Sequence, residues 1–381
     1  MNLKTYSAQF WLLCLSSFFF FGSLNMILPE LPEFLTNLGG AKYKGLIISL
    51  FTLTAMISRP FSGKLADRIG RIPVMIFGSL VCLICSLIYP ALTSMYGFFL
   101  LRFFHGFSTG FTPTGFTAYI ADIVPPEKRG EAMGLLSTFG TLGMAGSPAI
   151  GGWVAVHYSL DAMFYCSSFF GLLAVIVFVG VKETLPNKED FNHHHLKITR
   201  TDLYEPSVLI PCIIMALSTY SFGVMLTLIP DLSKQVGLLN KGVVFTGFTL
   251  ASVAVRIVAG RMSDRYGRRL VLKISTTLIA LSMIIIGVAS EQWILWTGGL
   301  LYGVAYGMNS PTLFAWVTDL SNDNNRGRAF GSLYIALELG IGLGAIISGF
   351  TYNNNPENFL LAFGTGSVLA LLALVYLIFK S

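Results

Sequence analysis

Apolar runs long enough to cross a hydrocarbon core of roughly 30 Å recur along this chain, each closed by a short polar insert. Twelve spans can be marked, at roughly 9–32, 44–64, 72–93, 96–123, 131–156, 161–182, 206–230, 241–262, 270–289, 292–320, 327–350 and 356–379. The pattern predicts an all-α polytopic membrane protein, with the longer spans tilted or reaching into the headgroups. The first run is too long for the core of a cleaved leader and has no small-residue cleavage site after it, so it is read as span one.

Composition agrees with the pattern. Of 381 residues, 54% are hydrophobic and only 12% charged, whereas a soluble domain carries about 25% charged residues. The net charge of +6 reflects topology rather than nucleic-acid binding. With both termini in the cytoplasm, only Lys42, Lys44, Lys234 and Lys241 fall outside, and Arg59, Arg102 and Arg256 fall within spans. Every other Lys and Arg then lies inside, as the positive-inside rule requires. The expected location is the cell (inner or plasma) membrane. The five cysteines all sit in apolar runs, which indicates no disulfide framework. Cys82 and Cys85 share a helix face and read as small apolar filler, with metal or redox chemistry the alternative.

Two polar inserts are near copies. GKLADRIGR runs from Gly63 to Arg71, and GRMSDRYGR from Gly260 to Arg268. One shift of 197 residues aligns Arg59 with Arg256, Asp67 with Asp264, Gly106 with Gly303, Asp122 with Asp319 and Gly152 with Gly349. A constant offset over this length argues for two parallel repeats of six spans, residues 1–182 and 206–381. The polar stretch 183–205 joins them and holds His193, His194 and His195. It reads as a solvated cytoplasmic linker, with metal or pH sensing the alternative for the histidines.

Two six-span halves joined by a polar loop resemble the major facilitator superfamily. The family motif between helices two and three, G-x-L-a-D-R-x-G-R, is matched by Gly63, Leu65, Ala66, Asp67, Arg68, Gly70 and Arg71. Its second copy keeps Gly260, Asp264, Arg265, Gly267 and Arg268. LLRFFHGFSTG in span four is similar to R-x-x-Q-G-x-G, with Arg102, Gly106 and Gly110 in place, His105 for the usual Gln and Ser108 for a Gly. GMAGSPAIGG in span five resembles the exporters' G-x-x-x-G-P-x-x-G-G, matched by Gly143, Pro148, Gly151 and Gly152, with Ser147 for a Gly. The resemblance implies the major facilitator fold and, within it, the twelve-helix drug or metabolite:proton antiporter branch.

The inserts then read as gates. The resemblance implies that Asp67 meets the start of span eleven, and Asp264 that of span five. A carboxylate is favoured at a helix N-terminus by about 0.3–1 kcal/mol, and Gly63 would allow close approach. The positive-inside rule alone explains the arginines but not the aspartates or glycines.

Charges within spans are functional candidates because each costs at least about 2.5–3.5 kcal/mol to insert. Glu338 is near mid-membrane in span eleven and is expected either to couple protons or to pair with an arginine. Arg102 and His105, one turn apart, are candidates for proton coupling, with a plain core role the alternative for His105. Arg59 and Arg256 either snorkel to the surface or take part in gating. Glu30, Glu33 and Asp231 are expected to be solvated, with an outer gate the alternative. If helices one, four, seven and ten line the cavity, as in the resembling family, it contains Asn25, Arg102, His105, Thr109, Tyr220, Tyr302, Tyr306 and Asn309. That mixed polar and aromatic lining suits a small amphipathic organic molecule better than a bare ion.

The expected function is proton-coupled efflux by alternating access, by a protein acting as a monomer in the bilayer with a small molecule and protons as its partners. A proton-coupled uptake symporter for a small organic anion or metabolite is the alternative, and a transport-inactive sensor is the more remote one. No phosphate-binding G-x-x-x-x-G-K-[ST] loop is present, and no clustered nucleophile or metal set suggests an enzyme. No cofactor or metal is expected.

Overall fold

The computed structural model describes residues 6–125, 128–186, 188–192, 196–197, 204–321 and 326–379. The linker histidines 193–195 lie outside the described residues. Helices stand where the apolar runs predict them. Span one is Ala8–Ile27, span two Gly45–Arg68, span three Arg71–Ile88, span five Arg129–His157 and span six Leu160–Val177. Span seven is Leu209–Gln235, eight Gly242–Tyr266, nine Arg268–Gly287, ten Gln292–Leu320, eleven Arg326–Tyr352 and twelve Phe359–Phe379. Eight of the described helices are long and apolar enough to cross a membrane on those grounds alone. Spans four, five, eight and ten fall short because they are broken or rich in Gly, Ser, Thr and charge.

Two expected spans are not continuous. Span four is Met95–His105 followed by Phe107–Ile123, interrupted at Gly106. A Cβ at Gly106 would lie 2.2 Å from the Phe51 carbonyl oxygen, so span two presses on it there. Span one stops at Ile27, and the chain continues as a separate short helix, Leu31–Asn37. Pro29 and Pro32 bracket the break, since each removes a backbone donor. Serine caps start other helices: Ser7, Ser94 and Ser159 accept hydrogen bonds from the N–H groups of Phe10, Gly97 and Ala162 at 3.4, 3.2 and 3.0 Å.

Helices two and three are separated by two residues, and eight and nine by one. Such reversals need a left-handed backbone. Gly70 and Gly267 supply it with φ of 122° and 89°, a region closed to most side chains. That is one physical reason both copies of the insert end in Gly-Arg.

The packing repeats as the sequence does. Span one lies on five and six, three on four and six, and two on four; span seven lies on eleven and twelve, nine on ten and twelve, and eight on ten. Across the halves, span two packs on eleven and span eight on five. This seam is tight on the side away from the inserts, called the far side below. A Cβ at Gly242 would be 1.8 Å from the Pro148 carbonyl oxygen, and one at Gly45 would be 2.5 Å from that of Ala345. Only glycine permits backbones to meet so closely.

Toward the inserts the seam parts. Gly63 is one turn beyond Arg59, and Gly331 two turns before Glu338, on the faces where spans two and eleven meet. Gly260 and Gly134 hold the equivalent places in spans eight and five. A Cβ at any of these four would find no heavy atom of another helix within 4 Å. The close approach expected at Gly63 is therefore absent in this conformation, because the halves diverge before reaching it.

Gly242→Leu should add overpacking of about 1–3 kcal/mol against span five. Spin labels at Asn37 and Gln235, on opposite halves at the far rim, should then report a longer mean separation than in the parent protein. An unchanged distance distribution would show that the seam closes without this contact.

Candidate functional site

The seam carries charge at three depths. On the insert side, each terminal arginine of the repeated motif clamps two aspartates of its own half. Arg71 Nη1 donates to Asp67 Oδ1 at 2.6 Å and to the Ala66 carbonyl at 2.6 Å, while its Nε donates to Asp122 Oδ2 at 3.1 Å. Arg268 repeats this, pairing with Asp264 through Nη1 and with Asp319 Oδ2 through Nε at 2.8 Å. Asp67 and Asp264 have side chains 70% exposed, and neither makes an ion pair across the seam among the described residues. The expected contacts with the starts of spans eleven and five are thus not made in this conformation.

The first insert also touches the linker. Arg68 Nη1 meets Glu189 Oε1 at 2.5 Å, and Lys64 Nζ donates to the Lys197 carbonyl at 2.7 Å. Glu183 accepts from the backbone N–H groups of Arg71 and Ile72 at 3.1 and 3.0 Å, capping span three. Partial burial pushes the Glu183 carboxyl up, but backbone donors from Leu185, Arg71, Ile72 and Thr184 outweigh it and hold the group below the usual carboxylate range. Arg265 stacks over its neighbour Tyr266 at 5.3 Å.

At mid-depth, Arg59 Nη2 reaches across the seam to Glu338 Oε1 at 3.3 Å, and both side chains are nearly buried. The guanidinium also lies 4.3 Å from the Tyr334 ring centroid. Of the roles open to Glu338, pairing with an arginine is present in the structure. Arg59 does not snorkel away. Its counterpart Arg256 crosses the other seam and donates from Nη1 to Thr141 Oγ1 at 3.4 Å.

Arg102 and His105 are 1% and 0% exposed and lie inside the first half, not along the seam. Arg102 Nε donates to the Ile47 carbonyl at 2.8 Å, and its Nη1 to the Tyr89 hydroxyl at 3.3 Å. The same hydroxyl is 3.2 Å from His105 Nδ1, and Tyr89 stacks on Phe164 at 4.8 Å. The cluster ties spans two, three, four and six together. Arg102 Nη2 and His105 Nε2 stay buried without a partner.

The other expected cavity residues divide between packing and lining. Asn309 is buried and bridges Ser218 and Ser275 at 3.0 and 3.1 Å. Tyr302 is buried against Ser221 at 3.1 Å, and Tyr220 is buried against Thr365 at 3.1 Å. These three hold the second half together. Asn25, Thr109 and Tyr306 are half-buried. Asn25 and Thr109 donate to the Phe21 and Gly106 carbonyls in their own spans. In span five, Gly143 and Gly151 meet span one, whereas Pro148 and Gly152 meet the start of span eight.

The far side is closed by ion pairs exchanged between the halves. Lys44 Nζ meets Asp231 Oδ2 at 2.5 Å. Lys241 meets Glu30 Oε2 at 2.7 Å and also Glu33. Glu30 is 3% exposed, so the solvated state expected of it is corrected: span one ends early, and the short helix folds its acid under the other half. Asp231 too is mostly covered, while Glu33 keeps a side chain 40% exposed. Asn354 donates to the Ala41 carbonyl at 2.8 Å, and Asn240 to that of Ala149 at 2.9 Å. A depression of roughly 530 Å³ opens above these pairs, lined by Glu33, Asp231, Lys234, Lys241, Tyr352 and Asn354 among others. Among the described residues, no group of His, Cys, Asp or Glu could hold a metal ion.

The sequence profile of the Major Facilitator Superfamily matches residues 13–239 and 211–381. The chain belongs to that family. The multi-drug resistance efflux pump PmrA of Streptococcus pneumoniae is 28% identical over 335 residues, covering 84% of this chain and 82% of the pump. The multidrug resistance protein MdtG of Salmonella typhi is 28% identical over 348 residues, covering 87% and 84%. Among solved structures, the human organic anion transporter MFSD10 superposes with a TM-score of 0.74 at 19% identity, over 97% of this chain and 98% of its own. A peptide transporter POT in complex with sulfate gives 0.81 at 15% identity, over 99% and 95%. At such identities the structural likeness shows the fold alone. This major facilitator protein is a multi-pass membrane transporter.

Several residues of the site escaped sequence reasoning. Asp122 and Asp319 were visible only as equivalents in the repeat, with no role attached. Lys44 and Lys241 read as loop charges, although their 197-residue offset marked them as a pair. Glu183 carried no signal beyond its place at the end of span six.

The far-side pairs generate a pH expectation. The hydrogen bond from Lys241 outweighs burial and holds the Glu33 carboxyl below its ordinary range. Its contribution is therefore complete above the ordinary glutamate value of about 4.3 and is lost only as pH falls through the lowered one. In Glu30→Gln, where Glu33 is the carboxylate left to Lys241, spin labels at Asn37 and Gln235 should keep one separation between pH 7 and pH 5. Lys241→Gln should lengthen it already at pH 7. A Glu30→Gln separation that grows between pH 7 and pH 5 would refute the expectation.

Proposed function

We propose that this transporter is a secondary active exporter that exchanges a small amphipathic organic compound for protons by alternating access. The observation that carries the reading is the seam itself, closed by inter-half pairs on one side and parted on the other, with a buried ion pair at mid-depth. A central site reached from one side at a time is what alternating access requires. The names of the relatives PmrA and MdtG, a multi-drug resistance efflux pump and a multidrug resistance protein, favour export.

In this reading the insert side is cytoplasmic, both termini lie there, and the conformation faces inward. Residues 1–182 and 206–381 are the two bodies that rock, and 183–205 tethers them. Gly63, Asp67, Arg68, Gly70, Arg71 and their counterparts Gly260, Asp264, Arg265, Gly267 and Arg268 form the inner gate, unlatched here. Gly143, Pro148, Gly151 and Gly152 give span five a surface smooth enough to slide on. The protein works as a monomer.

Glu338 is the coupling acid. Deprotonated, it neutralises Arg59 and holds the halves together at mid-depth. Protonated, it releases Arg59, and the seam is free to change register. Arg102 and His105, each with an unpartnered buried nitrogen, belong to the same proton pathway within the first half.

The test is transport in proteoliposomes under an imposed pH gradient. Loss of one charge-assisted pair, about 1.5–3 kcal/mol, predicts that Glu338→Gln lowers proton-driven flux roughly tenfold or more while substrate counterflow persists. Proton-driven flux at the wild-type rate would overturn the assignment. Asp67→Asn should change the inward-to-outward balance without loss of expression, read from labels at the insert-side ends of spans two and eleven.

A further inference from the structure

The duplication places one arginine at the same depth in each half, Arg59 and Arg256, but only Arg59 has a carboxylate. Glu338 meets it at 3.3 Å. The residue equivalent to Glu338 in the first half is Thr141, and Arg256 meets only that hydroxyl, at 3.4 Å. Arg256 Nε is buried with no partner at all. Among the described residues no carboxylate pairs with Arg256. A guanidinium at this depth without an anion is costly, and such a residue is a site by default.

An aromatic stack stands next to Arg256. Tyr306 precedes Gly307, and a Cβ at Gly307 would lie 2.4 Å from the Ser252 carbonyl oxygen and 2.6 Å from Val255 Cγ1, the residue before Arg256. The Tyr306 ring stacks on Phe222 with centroids 5.0 Å apart and planes 20° apart, and on Tyr302 at 6.0 Å and 17°. Phe248 closes the back of the stack edge-on to Phe222 and Tyr302 at 6.0 Å each. Tyr306, Phe222 and Arg256 are half-buried, so they present surface, whereas Tyr302 is fully covered. One turn further, Gly260 has no heavy atom within 4 Å of its Cβ position, so the seam is open on the insert side of this spot.

We propose that Arg256 binds the carboxylate or sulfonate of an aromatic organic anion whose ring lies against Tyr306 and Phe222. At Arg256 the substrate's own anion takes the place that Glu338, reaching over from the second half, takes at Arg59. Arginine suits the task because its planar fork donates two parallel hydrogen bonds to a carboxylate. The inference rests on the transporter reading and narrows its substrate class. It also gives a reason for the divergence of the repeat: a second fixed carboxylate at position 141 would fill the site permanently.

The experiment is calorimetric titration of the purified full-length protein in detergent with 2-naphthoate, its neutral amide 2-naphthamide and the cation 2-naphthylmethylammonium. The wild type should bind naphthoate about tenfold or more tightly than the other two, the size of one charge-assisted pair. Arg256→Gln should erase that preference and leave the amide's affinity unchanged, and Arg256→Lys should keep part of it. Thr141→Glu, which supplies the missing carboxylate, should weaken naphthoate by a similar factor. Thermal unfolding confirms that each variant is folded. Equal affinities for the three probes in the wild type, or a uniform loss of all three in Arg256→Gln, would overturn the inference. So would displacement of naphthoate by phosphatidylglycerol micelles at matched concentration, which would make the site a lipid contact. Failure of proton coupling reads differently: naphthoate binding would still depend on Arg256, but no pH gradient would drive flux. Proton-driven flux of organic anions that is indifferent to Arg256→Gln would sink this inference and leave coupling intact.

Discussion

A cation at the seam must be met by an anion, and where that anion comes from changes with depth. On the far side, Lys44 and Lys241 take their carboxylates from the opposite half. At mid-depth, Arg59 still reaches across to Glu338. On the insert side, Arg71 and Arg268 are satisfied within their own halves by Asp67, Asp122, Asp264 and Asp319. Removing one partner of a buried pair is costly, about 3–5 kcal/mol, because the other charge is stranded. Opening the far side would separate Lys241 from Glu30 and admit water to both, so that cost falls on whichever charge stays buried without a partner. The motion is affordable only if other charges find partners as the first ones lose them. Aspartates 67 and 264 are exposed but held by Arg71 and Arg268, and they would have to leave those clamps to do so.

Backbone packing sets the same limit by a different route. Gly242 against Pro148 and Gly45 against Ala345 bring helices so close that no side chain fits. Span two runs on unbroken from its contact at Gly45 to the insert side over 24 residues, so a close approach at one end limits the separation at the other. Span eight bends by 46° between Gly242–Arg256 and Val258–Tyr266, so its insert-side end does not continue the line of the Gly242 contact. Gly63 and Gly260 have no neighbour within 4 Å of a Cβ here; under the proposed alternating access they are the glycines that would meet the opposite half when the far side lets go.

Much of this was legible in the residues. Twelve apolar runs and one constant offset specify the fold, since helices are the economical way to satisfy a backbone in lipid and a repeat must pack as its twin does. The turns at Gly70 and Gly267 follow from the inserts' length. What linear sequence could not convey is who meets whom across the seam. Glu30 read as solvated because its burial depends on Lys241, more than two hundred residues away. Arg102 and His105 read as cavity residues because a helical face shows direction but not what covers it. Their place behind span two became visible only once Ile47 and Phe51 were seen to close over them. Asp122 and Asp319 carried a signal in their shared offset, but a role needs the arginine that each one meets.

The places where the repeat fails are as informative as those where it holds. Structure common to both halves serves what both must do: turn at Gly70 and Gly267, clamp the motif arginine, and pack a glycine at the far rim. A transporter cannot be symmetric everywhere, because coupling and substrate recognition are different tasks that need different groups at the same depth. Thr141, standing where the repeat has Glu338, is that departure. It leaves one arginine neutralised by the protein and the other not, so the two seams cannot respond alike to a proton or to a bound anion. In the proposed exchange, a proton on Glu338 loosens the seam between spans two and eleven, and an anion on Arg256 supplies charge at the seam between five and eight. If the two halves move as units, neither seam changes without the other, and the asymmetry of two side chains links two ligands.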